Sequence, residues 1–165
     1  MREERVYTPA RFLVLLNDYF WRLAQFYSSE HLENVKLPKV LGIQEKILRI
    51  TGFAYGLISI GAYQRAYLSE LNLMIIAFVR EYEEVLDLNC SDEDKMDKLD
   101  SVVFNFDMRL ASLEWEIKRE YILKVIENCL EAHRSVLGKD FGLKDLLVFL
   151  KSVVDLDEDE EKPLT

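Results

Sequence analysis

Apolar residues recur at alternating spacings of four and three positions along the second half of the chain, which places them on one face of an α-helix. They are Leu99, Val103, Phe106, Leu110, Leu113 and Ile117, followed after a slight drift by Tyr121 or Ile122, Val125, Cys129, His133 and Val136. Ser91 precedes the pattern as an N-cap, and residues 92–94 are carboxylates, which the positive end of a helix dipole favours. Arg134 and Gly138 are typical stop signals. The pattern predicts one long helix over about residues 91–137.

The length of this helix conflicts with the size of the chain. About 46 helical residues span roughly 70 Å. A compact chain of this size, in contrast, has a radius of gyration of roughly 15 Å. One solution is a break near residues 102–107, where β-branched, aromatic and short polar residues weaken helix propensity. The other is an unbroken helix that a second copy of the chain buries. We favour the second solution, which predicts a homodimer or a larger homo-oligomer.

Three further helices are predicted before the long one. The first runs from Thr8-Pro9 to about residue 28, because threonine can cap a helix and proline is tolerated at its first position. The second covers about residues 38–61 and the third about residues 62–88. Their apolar stripes are Phe12, Leu16, Tyr19, Phe20, Leu23, Phe26 and Tyr27 in the first, and Tyr67, Leu71, Met74, Ile75, Phe78, Tyr82 and Val85 in the third. The polar residues 29–39 are predicted to form a loop.

Several segments allow two interpretations. Val14 and Trp21 lie seven residues apart at the edge of the first apolar face, so they belong either to the core or to a strip that contacts a partner helix. Gly52 and Gly56 form a G-x-x-x-G step, which favours close approach of a neighbouring helix. Residues 47–63 also fit a hairpin, since periodicity alone does not separate short buried helices from strands.

The C-terminal part of the chain predicts one more short helix and a charged tail. The apolar stripe consists of Leu143, Leu146, Leu147, Leu150, Val153 and Val154. Six of the seven residues from Asp155 to Glu161 are acidic, which is typical of a solvated tail. The sequence therefore predicts an all-α protein: an antiparallel bundle of about five helices in a single domain over residues 1–155, with a disordered acidic tail over residues 156–165.

Charge and composition narrow the class of protein. The net charge is −9, and the acidity is concentrated in residues 81–165, where 23 acidic residues outnumber 11 basic ones. Such a chain has no general attraction for polyphosphates, so nucleic-acid binding is not favoured. No apolar run is long enough to cross a bilayer, and Cys90 and Cys129 do not form a disulfide framework. We therefore expect a cytoplasmic protein without a membrane anchor.

Recognisable catalytic chemistry is missing from the sequence. There is no glycine loop for phosphate, no zinc-ligand spacing and no nucleophile elbow. His31 and His133 each stand apart from other metal-ligating residues, and a solvated or boundary histidine is the expected role of each. The sequence thus predicts no particular catalytic residue, no cofactor and no metal site.

Carboxylates nevertheless recur in pairs on two predicted helices: Glu81 with Glu84, and Glu116 with Glu120. Each pair lies on one face of its helix, and two such faces opposed could hold Mg²⁺ through hard oxygen ligands. This arrangement resembles the all-α nucleotide pyrophosphohydrolases, whose more specific acidic pattern has no residue-by-residue counterpart here. The resemblance implies a divalent-metal carboxylate hydrolase as an alternative function.

The same helix also offers a purely structural explanation for its acidic residues. Glu114 with Lys118, and Glu120 with Lys124, have the spacing of ordinary surface ion pairs on a helix. A second alternative is a nucleic-acid accessory subunit, in which cations contact phosphates and aromatic rings stack on bases. The residues for that role are Arg2, Arg5, Arg11 and Arg22, interleaved with Tyr7, Tyr19 and Trp21. The leading prediction is a non-enzymatic helical interaction or structural subunit that self-associates.

Overall fold

A computed structural model describes residues 9–61 and 66–137, together with the single positions 144, 145 and 148. Four long helices lie in these ranges: α1 (Pro9–Phe26), α2 (Leu37–Ser59), α3 (Tyr67–Leu86) and α4 (Asp92–Leu137). No strand occurs in either range, so the all-α prediction is confirmed. The predicted fifth helix near residues 143–154 and the acidic tail over residues 156–165 fall outside the described ranges.

The chain divides into two compact units, residues 1–118 and 119–165, and the boundary lies inside α4. The first unit contains α1, α2, α3 and the first part of α4, whose contacts with one another form the helical bundle described below. The prediction of a single domain over residues 1–155 stays a prediction.

The long helix α4 is continuous over 46 residues. Its start is as predicted, since the Asp94 N–H donates to the Ser91 Oγ at 3.1 Å and the first turn carries three acidic residues. The alternative with a break near residues 102–107 is wrong. Val102, Val103 and Phe106 are all buried, and this packing outweighs the weak helix propensity of the segment.

Helix α4 runs antiparallel to α1 and parallel to α2. Where α1 contacts α4, the residue numbers increase along one helix as they decrease along the other. Where α2 contacts α4, the residue numbers increase along both helices. These contacts are Phe12 with Phe106 and Tyr19 with Asp100 for the first pair, and Lys46 with Asp107 and Arg49 with Glu114 for the second. The predicted antiparallel arrangement is therefore confirmed.

A cluster of three phenylalanine rings joins α1, α3 and α4. The ring centroids of Phe12 and Phe78 are 5.5 Å apart, and those of Phe78 and Phe106 are 4.7 Å apart. All six apolar residues of the α4 seam from Leu99 to Ile117 are buried as predicted. Beyond Ile117, no residue of α4 whose side chain is described is buried.

The structure decides against one of the two interpretations of Val14 and Trp21 on α1. Val14 is 53% exposed and Trp21 is 67% exposed, so their assignment to the core is wrong. The core position that periodicity missed is Leu15, which is buried next to Leu16. The burial of both leucines widens the buried face of α1, because the helix packs against more than one neighbour.

The predicted loop over residues 29–39 is also wrong. Ser28 caps a single α-helical turn over Ser29–His31, which continues through a π-helical turn over Leu32–Lys36 directly into α2. Pro38 follows this wider turn. Because proline has no N–H to donate and crowds the carbonyl four residues earlier, a π-turn before it lets the helix continue where regular α-helical bonding would be lost.

The hairpin alternative for residues 47–63 is wrong as well, because α2 remains helical to Ser59. The Ile60 N–H donates to the Gly56 carbonyl at 3.2 Å, and Gly61 then adopts a φ of 74°. A positive φ just beyond a helix end is the conformation that glycine accepts at least cost. Gly61 therefore marks the end of the helix, as its place in the sequence indicates.

Gly52 provides a test of the helix-packing argument. It is exposed in the middle of α2, and a Cβ atom built there would meet nothing within 4 Å, so no neighbouring helix approaches it closely. We expect Gly52→Ala to stabilise the protein by about 0.5–1 kcal/mol, because alanine loses less backbone entropy in a helix. Thermal unfolding should show a midpoint about 1–4 °C higher. The matched control is Gly61→Ala, which should destabilise because of its positive φ. A lower midpoint for Gly52→Ala would contradict the expectation.

Candidate functional site

A line of apolar side chains follows the side of α4 away from the bundle. It consists of Phe104, Met108, Ala111 and Trp115, and we call it the outer stripe. Phe104 is 59%, Met108 55% and Trp115 65% exposed. At 100° per residue, the line lies roughly 140° around the helix from the buried seam. It is therefore a second apolar face and not an edge of the core.

The spacing of the outer stripe sets it apart from scattered exposed residues. Its members are separated by four, three and four positions, which is the spacing of a helix that packs against another helix. Singly exposed apolar residues are normal on protein surfaces, whereas contiguous apolar surface marks sites of interaction. The outer stripe is contiguous apolar surface of this second kind.

Charged residues continue the outer stripe at both ends. Asp97 lies seven residues before Phe104, and Lys118 lies seven residues after Ala111, so both stay on the same face of α4. Both side chains are exposed. The face is thus acidic towards the start of α4, apolar in the middle and basic towards Lys118.

The other helices of the bundle carry less continuous apolar surface. On α2, Leu41, Leu48 and Tyr55 are exposed at intervals of seven residues, with Glu45 between the first two. On α1, the exposed Val14 and Trp21 are separated by the polar Asn17 and Asp18. Within the described ranges, neither line has the unbroken four-three-four alternation of the outer stripe.

Two polar clusters connect the helices inside the bundle. The first is centred on Asp100 of α4, which accepts hydrogen bonds from the hydroxyls of Tyr19 and Tyr27, the latter at 2.7 Å. Lys36 lies 3.4 Å from the same carboxylate and 4.4 Å from the centroid of the Tyr27 ring. The hydrogen bond to Asp100 is the main cause that raises the pKa of Tyr27 to about 12, and burial is the main cause that raises the pKa of Tyr19. We call these four residues the Asp100 cluster.

The second polar cluster connects α1 with α3. Asp18 accepts hydrogen bonds from the Tyr82 hydroxyl at 2.7 Å and from Arg22 Nε at 2.8 Å. Tyr82 is fully buried, and this burial is the main cause that raises its pKa. Both clusters are part-buried and pair their groups internally, so they position helices and do not present reactive groups to a ligand.

The structure does not assemble the carboxylates of the hydrolase hypothesis into a metal site. Glu81 lies 3.7 Å from the Arg109 guanidinium, and Glu84 is exposed. Across the described residues, no group of three or more His, Cys, Asp and Glu side chains is placed to hold a metal ion. Glu114, which was predicted to pair with Lys118, forms an ion pair with Arg49 of α2.

A surface cavity of about 400 Å³ lies between α3 and α4. Leu73, Met74 and Leu113 form part of its lining, together with Arg109 and Glu116. Leu73 is 64% exposed, so this cavity is a shallow depression and not an enclosed pocket. Its lining also includes the polar residues Glu70 and Ser112, but a depression this open does not enclose a substrate in the way that hydrolase sites usually do.

The cations of the nucleic-acid hypothesis are engaged in ion pairs where the structure describes them. Arg11 pairs with Glu83 and Arg22 pairs with Asp18. Arg2, Arg5 and Tyr7 lie outside the described residues, and the hydroxyl of Tyr19 is bonded to Asp100. Of the predicted stacking residues that are described, Trp21 alone is exposed.

The two histidines occupy different environments. His31 belongs to the helical entry of α2 and not to a loop, and its ring stacks on that of Tyr27 with 5.1 Å between centroids. His133 is exposed on α4. Neither belongs to a group of metal-ligating side chains in the part of the chain that is described.

The fold and surface define an all-α helical bundle with an exposed apolar face on its longest helix. Comparison with protein-family models, with curated proteins and with solved structures gives no match to this chain. None of the described helices combines the length and apolar character that crossing a bilayer requires.

Proposed function

We propose that this protein is a non-enzymatic helical interaction subunit that self-associates, and that the outer stripe of α4 is its contact surface. The exposure of Phe104, Met108 and Trp115 at helix-packing intervals is the observation that carries the proposal. We also propose a cytoplasmic location, which agrees with the two free cysteines, Cys90 and Cys129, and the lack of a disulfide between them.

The energetics of apolar burial support a role for the outer stripe in association. Full burial of a large apolar side chain contributes roughly 1.5–3 kcal/mol, and these side chains are a little over half exposed. Three from each of two copies therefore contribute roughly 5–10 kcal/mol, which is of the same order as the cost of losing translational and rotational freedom. Burial of the outer stripe can therefore offset this cost, and flanking contacts add to the affinity.

Two alternatives carry less support. A divalent-metal carboxylate hydrolase needs converging carboxylates, and a nucleic-acid accessory subunit needs cations directed to solvent. Among the described residues, Glu81 lies beside a guanidinium, and both Arg11 and Arg22 are held by carboxylates. Binding of Mg²⁺ or of an oligonucleotide at low salt, measured by calorimetry, would raise either alternative above the interaction subunit.

The proposal is tested by removing the apolar surface without disturbing the fold. In the double variant Phe104→Gln and Met108→Gln, glutamine keeps a good helix propensity and replaces two exposed apolar side chains. We expect the dissociation constant to rise by at least about a hundredfold, equivalent to roughly 3 kcal/mol. Light scattering on the size-exclusion peak, over a concentration series, gives the mass of each species.

A matched control is available on α2. Leu41→Gln and Leu48→Gln make the same kind of change at side chains that are 53% and 71% exposed. This control is expected to keep the association of the wild-type chain, and far-ultraviolet circular dichroism checks the helix content of both variants. A wild-type chain that stays monomeric at every concentration, or a control that dissociates as readily as the α4 variant, would contradict the proposal.

A further inference from the structure

The distribution of charge along the outer face of α4 carries information about orientation. Asp97 and Lys118 lie on the line of the outer stripe, one before it and one after it, and both are exposed. The position midway between them is beside Met108. Each charge is therefore roughly 15–17 Å from Met108 along the helix axis.

A homodimer with two-fold symmetry uses the same surface on both copies. If two α4 helices met in parallel, Asp97 would face Asp97 of the other copy and Lys118 would face Lys118, so like charges would be opposed. If they met antiparallel about an axis near Met108, each Asp97 would face a Lys118. The second arrangement replaces two repulsions with two attractions, and such charge patterns select the orientation of paired helices.

The size of the side chains favours the same alignment. A two-fold axis near Met108 sets Phe104 of one copy against Ala111 of the other, twice over. Phe104 is large and exposed whereas Ala111 is small. A large side chain opposite a small one lets two helix faces interdigitate.

We propose that a second copy of this chain binds across the outer stripe with the two α4 helices antiparallel, so that Asp97 of each copy faces Lys118 of the other. This inference rests on the proposed self-association and adds the orientation of the partner. The apolar stripe supplies most of the affinity, and the two charge pairs select the antiparallel form, because exposed ion pairs contribute little affinity individually.

The charges are tested by reversal and restoration. D97K and K118D each place like charges opposite one another at both ends of the antiparallel dimer, and each is expected to raise the dissociation constant by about tenfold at low salt. The double variant D97K/K118D restores opposite charges and should return the dissociation constant to within about threefold of wild type. The matched control is K98D, because Lys98 is exposed but lies about 100° around the helix from Asp97. It should change association little.

A distance measurement gives an independent readout of orientation. In the full chain with Cys90→Ser, Cys129→Ser and K98C, a spin label on position 98 of each copy should lie about 30 Å from its counterpart in the antiparallel dimer. A parallel dimer would bring the two labels to about 10 Å, the spacing of packed helices.

The outcomes separate this inference from the proposed function. Rescue by the double variant together with the longer label distance supports the antiparallel dimer. A wild-type dimer in which the double variant is no better than the single variants, or in which the labels lie at the shorter distance, overturns the orientation and leaves self-association standing. A wild-type chain that is monomeric at all concentrations overturns both.

Discussion

Replacing Leu110 with alanine is expected to lower the free energy of unfolding by about 3–4 kcal/mol, one of the two largest effects that we expect from a single substitution in this chain. Leu110 is fully buried in the middle of the α4 seam. The substitution removes three carbon atoms and leaves a cavity, because close-packed neighbours relax only in part. Urea unfolding followed by circular dichroism measures the change.

The matched control is the same substitution at Leu48, which is 71% exposed on α2. An exposed leucine loses little on truncation, so Leu48→Ala should change the free energy of unfolding by no more than about 0.5 kcal/mol. Both variants are compared with wild type at one protein concentration, since self-association adds to apparent stability. Equal losses at the two positions would mean that the seam of α4 is not the core of the bundle.

The seam that contains Leu110 was predictable because the signals for it are local. The Ser91 cap and the following acidic turn act on the backbone within four residues, and the four-three alternation fixes which residues share a face. Both the start of α4 and its buried residues follow the prediction. The continuity of α4 through residues 102–107 was harder to predict, because it depends on neighbours that bury this segment and not on its propensity.

Periodicity identified apolar faces but not what covers them. Val14 and Trp21 satisfy the spacing of a core strip, yet both are exposed, and Leu15 is buried in a position that the first stripe omitted. The outer stripe of α4 was not singled out at all, because the buried seam on the same helix has the same spacing. Only the position of the surrounding helices separates a core face from a contact face.

The helical entry to α2 was missed for a different reason. Six of the eight residues 29–36 are polar and the segment precedes Pro38, a combination that is typical of loops. The Ser28 cap was a local signal for the helical turn, since its side chain accepts from the His31 N–H at 3.3 Å. The π-turn that follows has no comparably clear sequence signal, and it places Lys36 where it reaches Asp100.

The Asp100 cluster could not be predicted, because its members are 64 to 81 residues away from Asp100 in sequence. In the sequence, Tyr19 is one member of the apolar face of the first helix, and Asp100 is one of thirty acidic residues. Their pairing depends on how α1 and α4 are aligned, and a single sequence contains no record of that alignment. The second large effect that we expect concerns this cluster.

Asp100→Ala is expected to lower the free energy of unfolding by about 2–3 kcal/mol. It leaves the buried Tyr19 hydroxyl without its acceptor and removes the partner of Tyr27 and Lys36. A double-mutant cycle identifies the cause. Tyr19→Phe should cost about 1 kcal/mol in the wild type and much less in the Asp100→Ala background, since its acceptor is then already gone. Strictly additive losses would contradict the cluster as an energetic unit.

Alkaline titration gives a second readout of the same cluster, because the pKa of Tyr27 is raised to about 12 when folded and is about 10 in an unfolded chain. A raised pKa in the folded state means that the neutral phenol contributes stability that is fully present below about pH 10 and is lost as pH rises through about 12. Asp100→Ala removes the hydrogen bond that is the main cause of the shift, so the pKa of Tyr27 should fall towards its unfolded value. Phenolate absorbance measures this as the difference between each protein and its Tyr27→Phe counterpart. An unchanged midpoint in Asp100→Ala would mean that Asp100 does not hold Tyr27, and Tyr19 alone would then connect α1 to Asp100.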